Sequence, residues 1–137
     1  MSPHPAVVLD ASVGVKWFKP ETSQAAALAL LVQATNGEIA LAVPTHFVHE
    51  VLSVVRRLYS PADMTPAWEL IEASGVAVIP LTTEVIAEAA RQCEALGCSF
   101  YDSLAPACAT LLGATLASAD ARAHGAFPGV LLIGDEG

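Results

Sequence analysis

The feature that most constrains the fold is the alternation of short apolar runs with longer helical patterns along the whole chain. The apolar runs have the length and composition of strands that are buried on both faces of a sheet. This pattern predicts an α/β fold with a central, mostly parallel five-stranded sheet flanked by helices on both faces. The predicted strands are residues 6–9, 39–43, 76–79, 115–118 and 130–133, and the predicted helices are 13–18, 22–34, 46–59, 66–73, 83–96, 101–112 and 121–126.

The length and hydrophobic content indicate one domain. A chain of 137 residues with 54% hydrophobic residues can bury a single compact core, and it contains no repeat or linker. We therefore expect one domain over residues 1–137. The longest apolar run, residues 25–32, is much shorter than the ~20 residues of a membrane span, and no export signal precedes Asp10. These observations predict a cytoplasmic protein with no membrane partner.

The charge balance restricts how the chain can bind a polyanion such as nucleic acid. Fourteen acidic residues against six basic ones give a net charge of −8, which argues against a broad basic face for nucleic acid. A phosphate-containing substrate would need a few arginines or bound cations. The cysteines are odd in number and form no CxxC pair, so we expect small, reduced core residues, with a disulfide between the first two as the less favoured alternative: Cys93, Cys98 and Cys108.

Acidic side chains recur at one edge of the predicted sheet. With right-handed crossovers, strand C-termini meet helix N-termini along the edge where α/β proteins bind ligands. Asp10 and Asp120 directly follow the first and fourth strands. Glu50 lies in the first turns of the helix after the second strand, and Asp102 lies near the start of the helix that leads into the fourth. Clustered carboxylates raise one another's pKa unless a cation neutralises them.

An all-carboxylate cluster favours a hard cation. Without a matching histidine or cysteine cluster, Mg²⁺ or Mn²⁺ fits better than zinc, and such a site suits phosphoryl chemistry. Each acid alone also has a simpler interpretation as a turn or helix-capping residue. We assign that simpler role to Glu84, which opens the helix after the third strand. The capping role does not account for Glu50, because this residue borders the apolar stripe of its helix, where a carboxylate needs a partner.

Two other motifs are excluded. The zinc-protease pattern HExxH would need histidine at position 53, where Ser53 stands, and no glycine-rich phosphate loop follows the first strand. His46 and His49 are left as outer contacts of the site or, preferably, as surface or helix-start residues.

Four segments resemble a known family. "VVLDASVGVKWFKPE", "HEVLSVV", "SFYDSLAPACA" and "LASADARAHG" resemble the PIN-domain ribonucleases, in particular the VapC toxins of bacterial toxin–antitoxin pairs. The resemblance covers nearly the whole chain and implies a metal-dependent endoribonuclease that hydrolyses RNA phosphodiester bonds. It assigns the catalytic and metal-binding roles to Asp10, Glu50, Asp102 and Asp120, with Mg²⁺ or Mn²⁺ as cofactor.

The resemblance also implies partners. These are the RNA substrate, a VapB-like antitoxin that inserts an arginine among the carboxylates, and a second copy of the chain that pairs through residues 46–73.

Further residues are candidates for substrate contacts. Ser12 and Ser118, the latter where the family usually has threonine, are candidate hydrogen-bonding residues beside the acids. Trp17 and Phe18 either stack on bases or pack in the core, the second use being commoner. Basic residues are candidate phosphate contacts or parts of solvated helix faces: Lys16, Lys19, Arg56, Arg57 and Arg122.

Two departures from the family pattern keep an alternative open. Ser53 stands where many relatives have asparagine, and Ala105-Pro106 replaces a bulky pair, so that the proline is expected to kink the helix or move its start. The alternative is a catalytically weak PIN-like metal-binding or protein-interaction module. A phosphate-accepting receiver domain ranks last, because paired early acids and a strand-end lysine are missing.

Overall fold

The computed structural model describes residues 4–134, in which seven α-helices alternate with five strands. Element boundaries differ from the predicted ones by no more than two residues. The strands are β1 Ala6–Leu9, β2 Ala40–Pro44, β3 Ala77–Ile79, β4 Thr115–Ser118 and β5 Leu131–Leu132. The helices are α1 Ala11–Lys16, α2 Gln24–Thr35, α3 Thr45–Leu58, α4 Met64–Ala73, α5 Thr83–Leu96, α6 Phe100–Leu112 and α7 Ala121–His124, with a 3₁₀ turn at Pro61–Asp63.

The strands form one sheet in the order β3-β2-β1-β4-β5, and every neighbouring pair is parallel. The predicted five-stranded α/β fold is confirmed, and the sheet is wholly rather than mostly parallel. β1 lies at its centre, where Leu9 is in register with Ala117 of β4. The residues that follow β1 and β4 are therefore neighbours.

Helices cover both faces of the sheet. Successive residues of a strand point to opposite faces, and β1 follows this rule: Val7 and Leu9 join one hydrophobic core, whereas Val8 joins the other. The first core receives side chains from α1, α2, α3 and α4, and the second from α5 and α6. The fold thus has three layers with the sheet in the middle.

Helix α1 lies very close to α3. A Cβ atom added at Gly14 would lie 2.4 Å from Cζ of Phe47 and 2.8 Å from Cγ2 of Val51. Only glycine fits this contact. Trp17, which follows α1, is 5% exposed, donates from Nε1 to the Ala27 carbonyl at 2.8 Å and packs edge-on against Phe47. Trp17 is thus a core residue and is not exposed for stacking, whereas Phe18 is half-buried against the same core.

Helix α6 continues through Pro106. It begins at Phe100, one residue before the predicted start, and runs without interruption to Leu112, with Pro106 fully buried. The expected displacement of the helix start is wrong. Cys108 is buried in this helix, while Cys93 and Cys98 are half-buried, and all three thiols are free. Among residues 4–134, no helix has the length and apolar character needed to span a bilayer.

Candidate active site

Asp10 and Asp120 follow the paired strands β1 and β4 at the same edge of the sheet. The backbone N–H of Asp10 donates to the Ala117 carbonyl at 3.0 Å. Each aspartate also caps a helix: Asp10 Oδ2 accepts from the N–H of Ser12 at 3.0 Å, and Asp120 Oδ1 accepts from the N–H of Ala123 at 3.1 Å. The capping interpretation is therefore correct for both, but a cap uses one oxygen of each carboxylate. The second oxygen is left for another contact.

Asp102 lies in the first turn of α6, where Ser99 Oγ caps its backbone N–H at 3.1 Å. Its carboxylate lines a polar cleft of about 360 Å³ together with Asp120 and Arg122. Asp102 and Asp120, 18 residues apart in sequence, thus face one cavity.

Glu50 lies on the second turn of α3, and its side chain is 54% exposed. Its protein partner is His46, one turn earlier, whose Nε2 is 3.5 Å from Oε1. Partial burial raises the pKa of Glu50 above its ordinary value, and the negative charges of Asp10 and Asp102 raise it further. The charges of these two acids therefore act on Glu50.

His46 lies closer to the acids than a surface residue would. Its ring is 9% exposed, its centroid is 5.9 Å from that of Tyr101, and burial lowers its pKa although Asp10 and Asp102 oppose that change. His49 is exposed, with Nδ1 3.1 Å from the Thr45 carbonyl. His49 is thus a surface residue, as preferred, and His46 lies at the start of α3 but is buried rather than exposed.

A buried histidine that sequence reasoning missed connects three of the acidic segments. His124, fully buried at the end of α7, places Nε2 2.6 Å from the Asp102 carbonyl and 4.0 Å from Asp10 Oδ1. Its Nδ1 lies 2.6 Å from Oγ of Ser118, two residues before Asp120. His124 occurs in "LASADARAHG", but a single histidine in a short helix carries no recognisable signal.

The two candidate serines join the same network. Ser118 Oγ accepts from the N–H of Asp120 at 3.0 Å and lies 3.5 Å from Ser12 Oγ, which in turn accepts from the N–H of Ala119 at 2.9 Å. Both hydroxyl groups therefore fix the turns after β1 and β4, as expected of residues that position the acids.

The basic candidates divide by position. Arg122 lines the cleft with Asp102 and Asp120, whereas Lys16 is largely buried and pairs with Glu21 at 3.1 Å. Lys19 and Arg57 are exposed. Arg56 and Ser53 line a separate cavity beside Met64 that contains none of the four acids. Ser53 therefore lies away from the polar cleft.

The chemistry of the acids fits a hard divalent cation, but their side chains do not form a closed site. The donors are carboxylates, and the pKa of Glu50 is raised first by its partial burial and then by the negative charges of Asp10 and Asp102. Within residues 4–134, no group of three His, Cys, Asp or Glu side chains is arranged to hold one metal ion. In this arrangement an ion would contact at most two of the acids, and further ligands would require side-chain rotation.

Comparison with known proteins places the chain in a family. The PIN domain family matches residues 7–126. No curated protein sequence matches significantly. Among solved structures, a toxin–antitoxin complex from Klebsiella pneumoniae is similar with a TM-score of 0.71 at 14% identity, covering 91% of this chain and 95% of that one.

Two further structures share the fold. Mycobacterium tuberculosis VapC20, described as a Sarcin-Ricin loop cleaving toxin, gives a TM-score of 0.69 at 14% identity, with 91% and 98% of the chains covered. VapBC2 from Rickettsia felis, bound to a DNA fragment from its promoter, gives 0.67 at 17% identity, with 94% and 98% covered. The chain belongs to the PIN domain family, and its fold is the one found in these toxin–antitoxin proteins.

Proposed function

We propose that this PIN-domain protein is a metal-dependent endoribonuclease of the cytoplasm, the toxin of a type II toxin–antitoxin pair. It hydrolyses RNA phosphodiester bonds at the sheet edge that carries Asp10, Glu50, Asp102 and Asp120. The family match and the shared fold support a nuclease. The motifs quoted from the sequence support the VapC-like subgroup.

The observation that carries the proposal is the electrostatic coupling of Glu50 to Asp10 and Asp102. Burial raises the pKa of Glu50 in α3, and the charges of Asp10, after β1, and Asp102, in α6, raise it further. Isolated capping residues would not need to be placed together in this way. Such a cluster costs stability unless a cation is bound there.

The roles proposed for the chain's own residues follow from their positions. The four acids would hold Mg²⁺ or Mn²⁺ once their side chains converge, and the ion would supply positive charge to the scissile phosphate and acidify a water molecule. Ser12 and Ser118 keep the turns that carry Asp10 and Asp120 in place. Arg122, at the rim of the polar cleft, is the basic residue best placed to contact a substrate phosphate. Arg56 and Arg57, further along α3, are left as contacts for more distant parts of the RNA.

The proposal is tested by incubating purified protein with total RNA in the presence of Mg²⁺, Mn²⁺ or excess chelator. We expect cleavage only with a divalent cation, and products with 5′-phosphate and 3′-hydroxyl ends. Cleavage that persists in chelator, or products with cyclic phosphates, would contradict metal-dependent hydrolysis.

The antitoxin is proposed as the main protein partner. Two of the similar structures are described as VapBC complexes bound to DNA, and an acidic cleft suits an inserted arginine. The product of a short neighbouring gene, co-expressed with this chain, should copurify with it and suppress RNA cleavage. If the two proteins eluted separately and RNA cleavage were undiminished, they would not be a cognate pair.

A homodimer through residues 46–73 is also proposed. Within this stretch Leu58, Tyr59 and Leu70 are 43%, 52% and 47% exposed, respectively, which is apolar surface available for a second copy. Sedimentation at the mass of a monomer across micromolar concentrations would contradict this interface.

A metal-binding or protein-interaction module with weak or no turnover is the second candidate. It is favoured by one observation, the lack of a ready three-ligand group among residues 4–134. Mn²⁺ binding without cleavage of any RNA would support it against the nuclease.

A further inference from the structure

The backbone carbonyl of Asp102 lacks the partner that an α-helix normally supplies. In α6 this carbonyl would accept from the N–H four residues later. That residue is Pro106, which has no N–H. The carbonyl oxygen instead lies 2.6 Å from Nε2 of His124. Because a carbonyl oxygen can only accept, Nε2 carries the proton and donates it to this bond.

The other side of the His124 ring binds the segment that carries Asp120. Nδ1 lies 2.6 Å from Ser118 Oγ, and the same oxygen accepts the N–H of Asp120 at 3.0 Å. The ring is fully buried, so water does not replace either contact. One side chain therefore joins the first turn of α6 to the turn between β4 and α7.

We propose that Pro106 and His124 act as a matched pair in which His124 is a positioning residue for Asp102. Because of the proline, the Asp102 carbonyl receives no hydrogen bond within α6. His124, which is also bound to the segment that carries Asp120, donates one to it instead. This arrangement fixes the two acids of the polar cleft relative to each other. The proposal rests on the proposed metal-dependent function, since it assigns His124 a role in preparing the same acids to bind a cation.

The contacts explain why the pairing is specific. If His124 lost its donor, a buried carbonyl would be unsatisfied, because no helical N–H is available to replace it. If residue 106 had an N–H, the carbonyl would be satisfied within α6 and would no longer depend on the Asp120 segment. The effect of changing His124 therefore depends on the identity of residue 106.

Two substitutions of His124 separate its two contacts. In His124→Gln the side-chain amide reaches the position of Nε2 and keeps a donor for the Asp102 carbonyl. In His124→Asn it reaches only the position of Nδ1, so that the contact with Ser118 is kept and the carbonyl is left open. The two variants are similar in polarity, and the second differs chiefly in the bond that the proposal considers essential.

The first measurement is calorimetric titration of the full-length protein with Mn²⁺ alone. We expect His124→Asn to weaken Mn²⁺ binding about tenfold or more, as is usual for residues that orient metal ligands, and His124→Gln to weaken it much less. Pro106→Ala keeps His124 and its link to the Asp120 segment, so it should leave binding unchanged. The double variant Pro106→Ala with His124→Asn lacks the link and should bind Mn²⁺ as weakly as His124→Asn alone. Equal losses in the two His124 variants, or wild-type affinity in the double variant, would overturn the proposal.

The second measurement is the free energy of unfolding of the same variants in chelator. With Pro106 present, His124→Asn should raise the equilibrium constant for unfolding about tenfold. With Ala at position 106 the increase should be clearly smaller, because α6 then supplies its own hydrogen bond to the Asp102 carbonyl. Additive effects would overturn the pairing. If the wild-type protein binds no Mn²⁺, the proposed function fails, and this metal-free cycle alone decides whether the pair holds α6 to the Asp120 turn.

Discussion

Gly14 of α1 lies against the ring of Phe47 in α3 so closely that a Cβ at position 14 would overlap Cζ at 2.4 Å. This contact sets the distance between the helix that follows Asp10 and the helix that carries Glu50. Phe47 is fully buried, so its ring cannot turn out into solvent. Gly14→Ala should therefore lower the free energy of unfolding by about 1–3 kcal/mol, the usual cost of overpacking, as measured by urea denaturation.

A matched glycine provides the control for this substitution. At Gly134 a Cβ would meet only the Ala119 carbonyl oxygen, at an ordinary 3.7 Å. Gly134→Ala should change stability by less than about 0.5 kcal/mol. If both glycine variants were equally stable, the α1–α3 contact would be looser than described.

Glu50→Gln should not destabilise the metal-free protein at neutral pH. Burial and the charges of Asp10 and Asp102 raise the pKa of Glu50 in the folded state above its ordinary 4.5. The contribution of Glu50 to folding stability is therefore fully present at pH values below 4.5. It is lost as the pH rises through the raised pKa of the folded state. In chelator at pH 7 the variant should match or exceed the wild type by less than about 1 kcal/mol, because the side chain is more than half exposed.

The pH dependence provides the check for Glu50. The advantage of the glutamine variant should shrink as the pH falls towards 4, where the wild-type carboxyl becomes protonated. Glu84→Gln, which changes an exposed acid in the first turn of α5, is the control and should lack this trend. A clear loss of stability in Glu50→Gln at pH 7 would mean that Glu50 is well compensated without a cation.

Glu88→Gln should destabilise the protein at neutral pH and less so in acid. Glu88 in α5 accepts from Gln92 Nε2 at 2.8 Å and from Arg91 Nε at 2.9 Å, and these bonds lower its pKa. Its stabilising contribution is present above the ordinary pKa of 4.5 and is lost as the pH falls through the lowered value. We expect a loss of about 1 kcal/mol at pH 7.

The location of Glu88 makes this loss relevant to the site. Gln92 also bonds Thr110 of α6 at 3.1 Å, so the Glu88 network joins α5 to the helix that carries Asp102. Glu94→Gln, on an exposed position of the same helix, is the control. A pH-independent difference between Glu88→Gln and the wild type would show that packing, not charge, is responsible.

Mn²⁺ should stabilise the folded protein. A ligand that binds only the folded state adds about 2.7 kcal/mol at a hundredfold excess over its Kd, and thermal denaturation would show this as a rise in Tm of several degrees. Asp120→Asn should remove most of the rise, while Asn still caps α7 in place of Asp120 and preserves the fold. An unchanged rise in this variant would exclude Asp120 from the ligands.

The fold was predictable because its signals are local. Buried parallel strands are short apolar runs, and Thr82 and Ser99, which cap α5 and α6, precede amphipathic patterns. The positions of Asp10 and Asp120 follow from strand order alone, because β1 and β4 end at the same edge. The positions of Glu50 and Asp102 were predictable because the helices run opposite to the strands, which brings the helix N-termini to the same edge.

The remaining details depend on tertiary contacts that no local pattern encodes. Trp17 bonds the carbonyl of Ala27, ten residues away, and the ring of His46 lies beside that of Tyr101. Pro106 was expected to disturb α6, yet the helix continues, and His124 supplies the hydrogen bond that the proline lacks. Neither residue indicates the other in the sequence, because 18 residues separate them.

The most direct test of the account compares RNA cleavage by the wild-type protein and by Asp10→Asn in the presence of Mg²⁺. Asparagine caps a helix as well as aspartate does, so α1 should form normally and the free energy of unfolding should change little. We predict that Asp10→Asn abolishes cleavage while Glu84→Gln cleaves at the wild-type rate. Full activity in a folded Asp10→Asn protein would contradict the assignment of the acidic edge as the catalytic site.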